Sequence, residues 1–158
     1  MHNICSITRM RFLFPSLLSL VLLAGCANVK DPEFRRIEHF GLRKIGLTQA
    51  TIGFNVTYFN PNKFGVTVKD AAADVYVDSL YLGKFSQDGP VDVKKDAEFS
   101  VPFSGAISLQ TALNLKIEDL ATKEIFLRAD GSARVGKAGV YVTRPIHYQG
   151  KHRLQIRL

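Results

Sequence analysis

Three of the four histidines of this 158-residue chain lie beyond its first 25 residues, and these are the residues best suited to metal binding or proton transfer. His39, His147 and His152 have neither a nearby cysteine nor a second histidine at the H-x-x-x-H spacing of helical metal sites. His147 and His152 are five residues apart, so a strand would point them to opposite faces, and we expect a solvated basic tail around them. The pattern predicts no metal site and no other cofactor.

The densest group of carboxylates is Asp92, Asp96 and Glu98, which could in principle form an acid–base pair. These residues flank Lys94 and Lys95, which favours an exposed loop linked by ion pairs. The chain also has no glycine-rich phosphate loop and no nucleophile motif of the G-x-S-x-G type. Because no nucleophile, base and orienting group can be nominated, the sequence predicts that the protein is not an enzyme.

Cys26 is the one residue whose neighbours define a specific reaction. Arg9 and Arg11 precede an apolar run over residues 12–23, and residues 23–26, Leu-Ala-Gly-Cys, resemble a bacterial lipobox. The run is shorter than the roughly 20 residues that a membrane-spanning helix needs. In a lipobox the cysteine thiol receives diacylglycerol, the chain is cut before it, and the new amine is acylated. The alternative is an ordinary buried cysteine at the end of an apolar helix.

Lipidation at Cys26 would divide the chain into a signal peptide (1–25), a lipidated tether (26–33) and a folded domain (34–158). It predicts a membrane as partner and a location in the bacterial cell envelope. Ala27 follows the cysteine where an aspartate would favour retention. Resemblance to known lipoprotein sorting therefore favours the outer membrane, facing the periplasm.

The composition predicts one folded domain. Of the residues, 46% are hydrophobic and 22% charged, with a net charge of +7, too much core-forming material for a disordered chain. After removal of Arg9 and Arg11 with the signal peptide, 19 basic residues face 14 acidic ones, a net charge of +5. Cys5 is lost with the same segment, so an internal disulfide is excluded and stability must come from packing.

Most of the chain alternates between polar and apolar residues, which is typical of half-buried strands. The segments 34–47, 49–58, 64–77, 81–85, 97–103, 125–129 and 140–148 are predicted strands, and 154–158 a final edge strand. The alternation changes phase at Lys69-Asp70, which predicts a bulge. Asp78-Ser79 predicts a turn, residues 86–90 a loop, and Pro102 an edge strand or a strand end.

One segment has a helical period instead. Leu109, Ala112, Leu113, Ile117 and Leu120 are spaced as on one face of an amphipathic helix, with Ser108 placed to cap its start. A turn at residues 136–139 then predicts a closing hairpin. The pattern indicates a mainly β fold, an antiparallel β-sandwich of the immunoglobulin or fibronectin III kind with one helix inserted late.

Asn60, Pro61 and Asn62 predict a strong turn, because proline fixes φ and asparagine side chains bond to nearby backbone. Residues 48–85, TQATIGFNVTYFNPNKFGVTVKDAAADVYVDSLYLGKF, together with the later edge strand, helix and hairpin, resemble the late embryogenesis abundant type 2 family, also called the water-stress and hypersensitive-response domain. The resemblance covers nearly all of residues 34–150. It implies a sandwich with one helix, no cofactor, no catalytic residues, and a role in tolerance of desiccation or freezing.

The sequence therefore leads to two hypotheses. The first is a membrane-anchored, chaperone-like protein that protects partly unfolded client proteins during water stress. The second is an envelope lipoprotein that binds one specific protein or a membrane. A basic face at Arg144, Lys151, Arg153 and Arg157 suits the second hypothesis, although ordinary solvation also explains it. No aromatic-basic motif predicts binding to nucleic acid.

Overall fold

The computed structural model describes residues 29–114 and 123–153, and within them eight strands and one short helix. The strands are β1 (Glu33–Ile45), β2 (Gln49–Asn60), β3 (Val66–Val77), β4 (Leu80–Gln87), β5 (Val91–Val93), β6 (Ala97–Ser108), β7 (Ile125–Lys137) and β8 (Val140–His152). The helix, α1, covers Leu109–Asn114. The predicted final strand at 154–158 lies outside the described residues.

The strands form an antiparallel sheet in the order β1-β2-β6-β4-β3-β7-β8, with β5 also paired to β3. β1, β2 and β6 make one layer, and β5, β3, β7 and β8 make the other. β4 pairs with β3 over most of its length and meets β6 only at Ser86 and Gln87, so it joins the layers at one side. The predicted antiparallel sandwich is confirmed. β1 and β8 are the two ends of the strand order, and the sheet is open between them.

The imperfect alternation of β1 has its cause in three register shifts against β2. Phe34 pairs with Tyr58 and Arg36 with Thr57, so Arg35 is an extra residue, and Phe34 and Ile37 both line the interior. A second shift falls between Glu38 and Gly41, where His39 has a φ of 55°. It brings the Phe40 ring into the core.

Two local predictions in β3 are confirmed. The register against β7 shifts between Val68 and Asp70, which is the bulge predicted at Lys69-Asp70. Asp78 and Ser79 both have positive φ, 47° and 72°, and form the two-residue turn to β4. This turn type matches the twist of the strands that it joins.

The prediction of a loop at residues 86–90 is wrong for its first two residues. Ser86 and Gln87 belong to β4, because pairing with β6 satisfies their backbone groups, and residues 91–93 form an unpredicted strand. Pro102 lies in the middle of β6, but only Phe103 and Ser104 pair with β4, so Pro102 is on a locally free edge. Its carbonyl accepts a hydrogen bond from the Asp88 amide at 3.0 Å.

The start of the predicted helix is confirmed, and its packing is confirmed only in part, because Ala112 lies partly buried against the core. The Ser108 hydroxyl accepts a hydrogen bond from the Thr111 amide at 3.0 Å, as expected for an N-cap. No residue of α1 is buried, and Leu113 is 72% exposed. The rest of the predicted apolar face, Ile117 and Leu120, lies outside the described residues.

Phenylalanines from several strands form the centre of the core. The Phe54 ring lies 6.2 Å from that of Phe40, 5.2 Å from Phe85 and 5.8 Å from Phe103. Phe85 is 1% exposed and belongs to β4, the strand that joins the layers. The inward side chains of the two layers therefore pack around the phenylalanines of β2 and β4.

Candidate functional site

An apolar cleft of about 60 Å³ lies between the two layers. It is lined by residues of β1, β2, β3, β4, β6, β7 and β8: Phe34, Ile37, Phe54, Val56, Tyr58, Ala73, Val75, Phe85, Phe103, Leu127, Ala129, Ile146 and Tyr148. The lining contains no charged side chain, and its only polar side-chain atoms are the tyrosine hydroxyls. Such a cleft can bind hydrocarbon side chains or chains.

Aromatic rings line the side of the cleft where β1 faces β8, which we call the cleft mouth. The Phe34 ring lies 5.2 Å from the Tyr148 ring, 5.2 Å from the His152 ring and 6.0 Å from the Tyr58 ring. Tyr148 and His152 are four residues apart on one face of β8, and the Tyr148 hydroxyl is hydrogen-bonded to His152 Nε2. Ring contacts between side chains therefore connect two strands that share no backbone ladder.

Burial favours the uncharged form of each of these titratable groups. It raises the pKa of Tyr58 and of Tyr148, and for Tyr58 the neighbouring Tyr148 adds to the effect. Burial also lowers the pKa of His152 below that of a free imidazole. The cleft mouth therefore favours an uncharged, apolar ligand.

The three histidines are separated, as the sequence predicted. His147 is exposed and its Nδ1 lies 3.2 Å from the Asp130 carboxylate, on the opposite side of β8 from His152. The expectation of a solvated tail is wrong for His152, because the Phe34 ring covers it. His39 lies on β1, beside Asn55. No three His, Cys, Asp or Glu side chains in residues 29–114 and 123–153 are grouped as metal ligands.

The carboxylates Asp92, Asp96 and Glu98 are exposed, as expected, but Asp92 and Glu98 lie on strands and not in a loop. Glu98 forms an ion pair with Arg36 of β1 at 3.1 Å, and Asp92 accepts a hydrogen bond from the Thr67 hydroxyl at 2.8 Å. Cross-strand neighbours thus replace the ion pairs that were expected with Lys94 and Lys95.

The Asn60-Pro61-Asn62 motif makes a turn in which the asparagine side chains are buried. Asn60 Nδ2 donates to the carbonyls of Phe64 and Lys94, and Asn60 Oδ1 accepts from the Asn62 amide. Asn62 Oδ1 accepts from the Lys30 amide at 2.9 Å, and Asn62 Nδ2 donates to the Lys30 carbonyl at 2.8 Å. The motif therefore also fixes the segment that leads into β1.

The predicted basic face is only partly assembled in the described residues. Lys151 Nζ lies 3.7 Å from Glu124 on the neighbouring segment. Arg144 is exposed on the half of β8 nearest the β7–β8 turn, and Arg153 follows the end of β8. Arg157 lies outside the described residues. Arg144 and Lys151 therefore occupy different parts of one long strand and do not form a compact cluster.

Cys26 and the whole predicted signal peptide lie outside the described residues. Within the described ranges, no helix has the length and hydropathy needed to span a membrane. The described part of the chain begins at Val29, three residues beyond the predicted lipidation site.

The cleft was not found from the sequence. Phe34 is more than 100 residues from Tyr148 and His152 in the chain, and only the register shift at Arg35 brings Phe34 to the inner face. The one local signal is the four-residue spacing of Tyr148 and His152, which places both on the same face of a strand.

No family model matches this chain, and no curated protein matches it. Among solved structures, the chain is similar to a protein from Archaeoglobus fulgidus, with 10% identity and a TM-score of 0.49 over 78% of this chain and 98% of that one. It is also similar to AT1g01470 from Arabidopsis thaliana, with 12% identity and a TM-score of 0.44 over 80% and 82% of the chains. The yeast GGA1 GAE domain follows with 10% identity and a TM-score of 0.28 over 75% and 97%. Likenesses at this level carry no argument about function.

Proposed function

We propose that this chain is a non-enzymatic, membrane-anchored lipoprotein of the late embryogenesis abundant type 2 kind, which protects partly unfolded proteins during drying or freezing. Its anchor is Cys26, and its clients are envelope proteins at the periplasmic side of the outer membrane. The stress context comes from the sequence resemblance. The apolar cleft between the layers is the structural observation that carries the proposal.

The cleft supports client binding because its lining is apolar and its mouth is uncharged. Partly unfolded proteins expose apolar side chains, and burial of such groups is favourable by about 25 cal/mol per Å². The cleft is small, so it suits one or two side chains of a client and not a folded surface. Weak binding of this kind would keep exposed segments apart without selecting one partner.

Protection of a labile enzyme tests the proposal. The full chain is reconstituted in vesicles and dried or frozen with the enzyme at a substoichiometric ratio, and recovered activity is measured. Ala129→Met fills the cleft from β7, whereas Ala106→Met makes the same change at an exposed position of β6. We expect the wild type and Ala106→Met to protect equally and Ala129→Met to protect less. Equal protection by all three, or none beyond an unrelated protein of similar size and charge, would overturn the proposal.

A specific interaction module is the second candidate, and the free edge of β8 favours it. Of residues 140–145, all but Tyr141 are exposed, so this half of the strand offers backbone groups and both faces to a partner. An extended segment of another protein can add to such an edge as a further strand. One dominant cross-linked partner, found with or without stress, would favour this candidate over the first.

A further inference from the structure

The positive charge of the described residues is concentrated in one hairpin. Residues 29–114 contain ten Lys and Arg and ten Asp and Glu, a net charge of zero. Residues 123–153, which hold β7 and β8, contain seven Lys and Arg and two Asp and Glu, a net charge of +5. The hairpin is therefore the part of the fold that attracts an anionic partner.

Both acidic residues of this segment lie away from the hairpin turn. Glu124 pairs with Lys151, and Asp130 with Arg128 and His147. We define the hairpin tip as residues 134–144. It contains Arg134, Lys137 and Arg144 and no carboxylate of its own.

Neighbouring groups leave much of this charge exposed. Arg134 lies 3.3 Å from the Asp70 carboxylate of β3, an ion pair that is half exposed on both sides. Lys69 Nζ, also from β3, lies 5.3 Å from the centre of the Tyr141 ring and adds a further cation beside the tip. Lys137 and Arg144 have no acidic partner among the described residues.

The hairpin tip also exposes apolar side chains beside its cations. Val140 is 74% exposed and Val142 is 52% exposed, and both are on β8 directly after the turn at Ala138-Gly139. Valines next to lysine and arginine suit a lipid interface, where the cations contact phosphates and the apolar groups enter the acyl boundary. A soluble polyanion would gain nothing from the valines, so the combination favours a membrane.

The strand register places the hairpin tip near the predicted anchor. Gly136 pairs with Thr67, which is five residues after Asn62 and hence at most about 19 Å from it. Asn62 holds Lys30 through two hydrogen bonds, and Lys30 is four residues from Cys26, a span of at most about 15 Å. A lipid anchor at Cys26 would therefore keep the tip within reach of the same bilayer.

We propose that the hairpin tip docks on the anionic headgroups of the membrane that holds the anchor. Phosphate groups contact Lys137 and Arg144, and the side chains of Val140 and Val142 enter the interface. The docking fixes the orientation of the domain over the membrane. This inference rests on the membrane anchorage of the proposed function, but not on client protection.

A fluorescent probe tests the docking in the full chain reconstituted in vesicles. If the signal peptide is retained, Cys5 is first replaced by another residue. A single reactive cysteine is then introduced by Val140→Cys and labelled. Leu80→Cys is the control, because Leu80 of β4 is 40% exposed and pairs with Val77, at the opposite end of β3 from Thr67. The measurement is quenching by nitroxide lipids in neutral phosphatidylcholine vesicles and in vesicles containing phosphatidylglycerol.

We expect quenching at position 140 to be at least three-fold stronger in the anionic vesicles, and quenching at position 80 to be the same in both. Lys137→Glu with Arg144→Glu should abolish the difference, while Lys84→Glu, a single exposed charge reversal on β4, should leave it. Removal of one cation at the tip, as in Lys137→Ala, should reduce the docked-to-undocked ratio about five-fold.

Equal quenching at position 140 in both vesicle types would overturn the inference. Protection of the probe by soluble polyglutamate without any effect of lipid charge would do the same and would assign the tip to an acidic polymer. The mass of the N-terminal peptide tests the anchor separately. A lipidated Cys26 with no docking thus contradicts this inference alone, and an unmodified Cys26 contradicts the anchorage.

Discussion

The side chain of Asn62 and the backbone of Lys30 are joined by two hydrogen bonds, of 2.9 and 2.8 Å. The amide of one asparagine therefore pairs with the segment before β1 as a neighbouring strand would. Asn62 is 9% exposed, and its Nδ2 also donates to Asn60 Oδ1 at 2.9 Å. The predicted Asn60-Pro61-Asn62 turn therefore also holds the segment that leads to the proposed anchor.

Replacement of Asn62 by alanine should remove this attachment. We expect Asn62→Ala to lower the free energy of unfolding by about 2 kcal/mol, because buried hydrogen bonds are lost and Asn60 loses a donor. Exchange of the Lys30 amide hydrogen should also become faster. Urea unfolding and hydrogen exchange measure the two effects.

The exposed neighbour Lys63 provides the control for that substitution. Lys63→Ala changes the same turn and should leave both the stability and the exchange of the Lys30 amide unchanged. Equal stability of the two variants would show that the Asn62 contacts contribute nothing.

Gly131 of β7 pairs with Ala73 of β3 at a point where there is no room for a side chain. A Cβ atom built there would lie 2.0 Å from the Ala72 carbonyl oxygen and 2.5 Å from Ala73 Cα, and neither backbone atom can move without separating the strands. We expect Gly131→Ala to destabilise the fold by about 3 kcal/mol.

Gly89 offers the same substitution in open space, since a Cβ atom added there would have no neighbouring atom within 4 Å. Gly89→Ala should therefore change the free energy of unfolding by no more than about 0.5 kcal/mol. Thermal unfolding of both variants measures the contrast. A Gly131→Ala protein as stable as Gly89→Ala would mean that the strands do not lie this close.

Acid should weaken the contact between His152 and the aromatic mouth. Burial lowers the pKa of His152 in the folded protein, so the unfolded chain takes up a proton at higher pH than the folded chain does. The contribution of neutral His152 is then complete above the unfolded pKa of about 6.5 and is lost as the pH falls through the folded value. His152→Gln should remove this part of the acid sensitivity.

The exposed His147 on the same strand is the matched position. His147→Gln should lose stability as the pH falls, as the wild type does, because His152 is still buried in this variant. Urea unfolding at several pH values between about 7.5 and 5 measures this loss. If His152→Gln and the wild type lose stability in parallel, the burial of His152 has no effect on the pH dependence.

The local features of the fold could be predicted because each depends on a few adjacent residues. The Asp78-Ser79 turn, the phase change at Lys69-Asp70 and the Ser108 cap all follow from side-chain chemistry or from alternation within one segment. The hairpin turn at Ala138-Gly139 likewise requires positive φ at both residues, 51° and 88°. The fold class follows from the sum of such signals.

The candidate site could not be predicted, because it depends on pairing between distant strands. Phe34 reaches Tyr148 and His152 only after the bulge at Arg35 has changed the phase of β1 and after the sheet has folded into two layers. Similarly, Glu98 of β6 pairs with Arg36 of β1 across the intervening strand β2 and not with the lysines near it in the sequence. Alternation within a segment tells which side chains are buried but not which ones they meet.

Photo-cross-linking from inside the cleft tests the proposed function most directly. A diazirine side chain close in size to isoleucine is placed at Ile146, which lines the cleft on β8, and is activated in living cells before and during drying. We expect cross-links to many different envelope proteins, with a yield that rises under stress and falls when Ala129→Met fills the cleft. One constant partner, or no cross-links that depend on stress, would contradict client protection by the cleft.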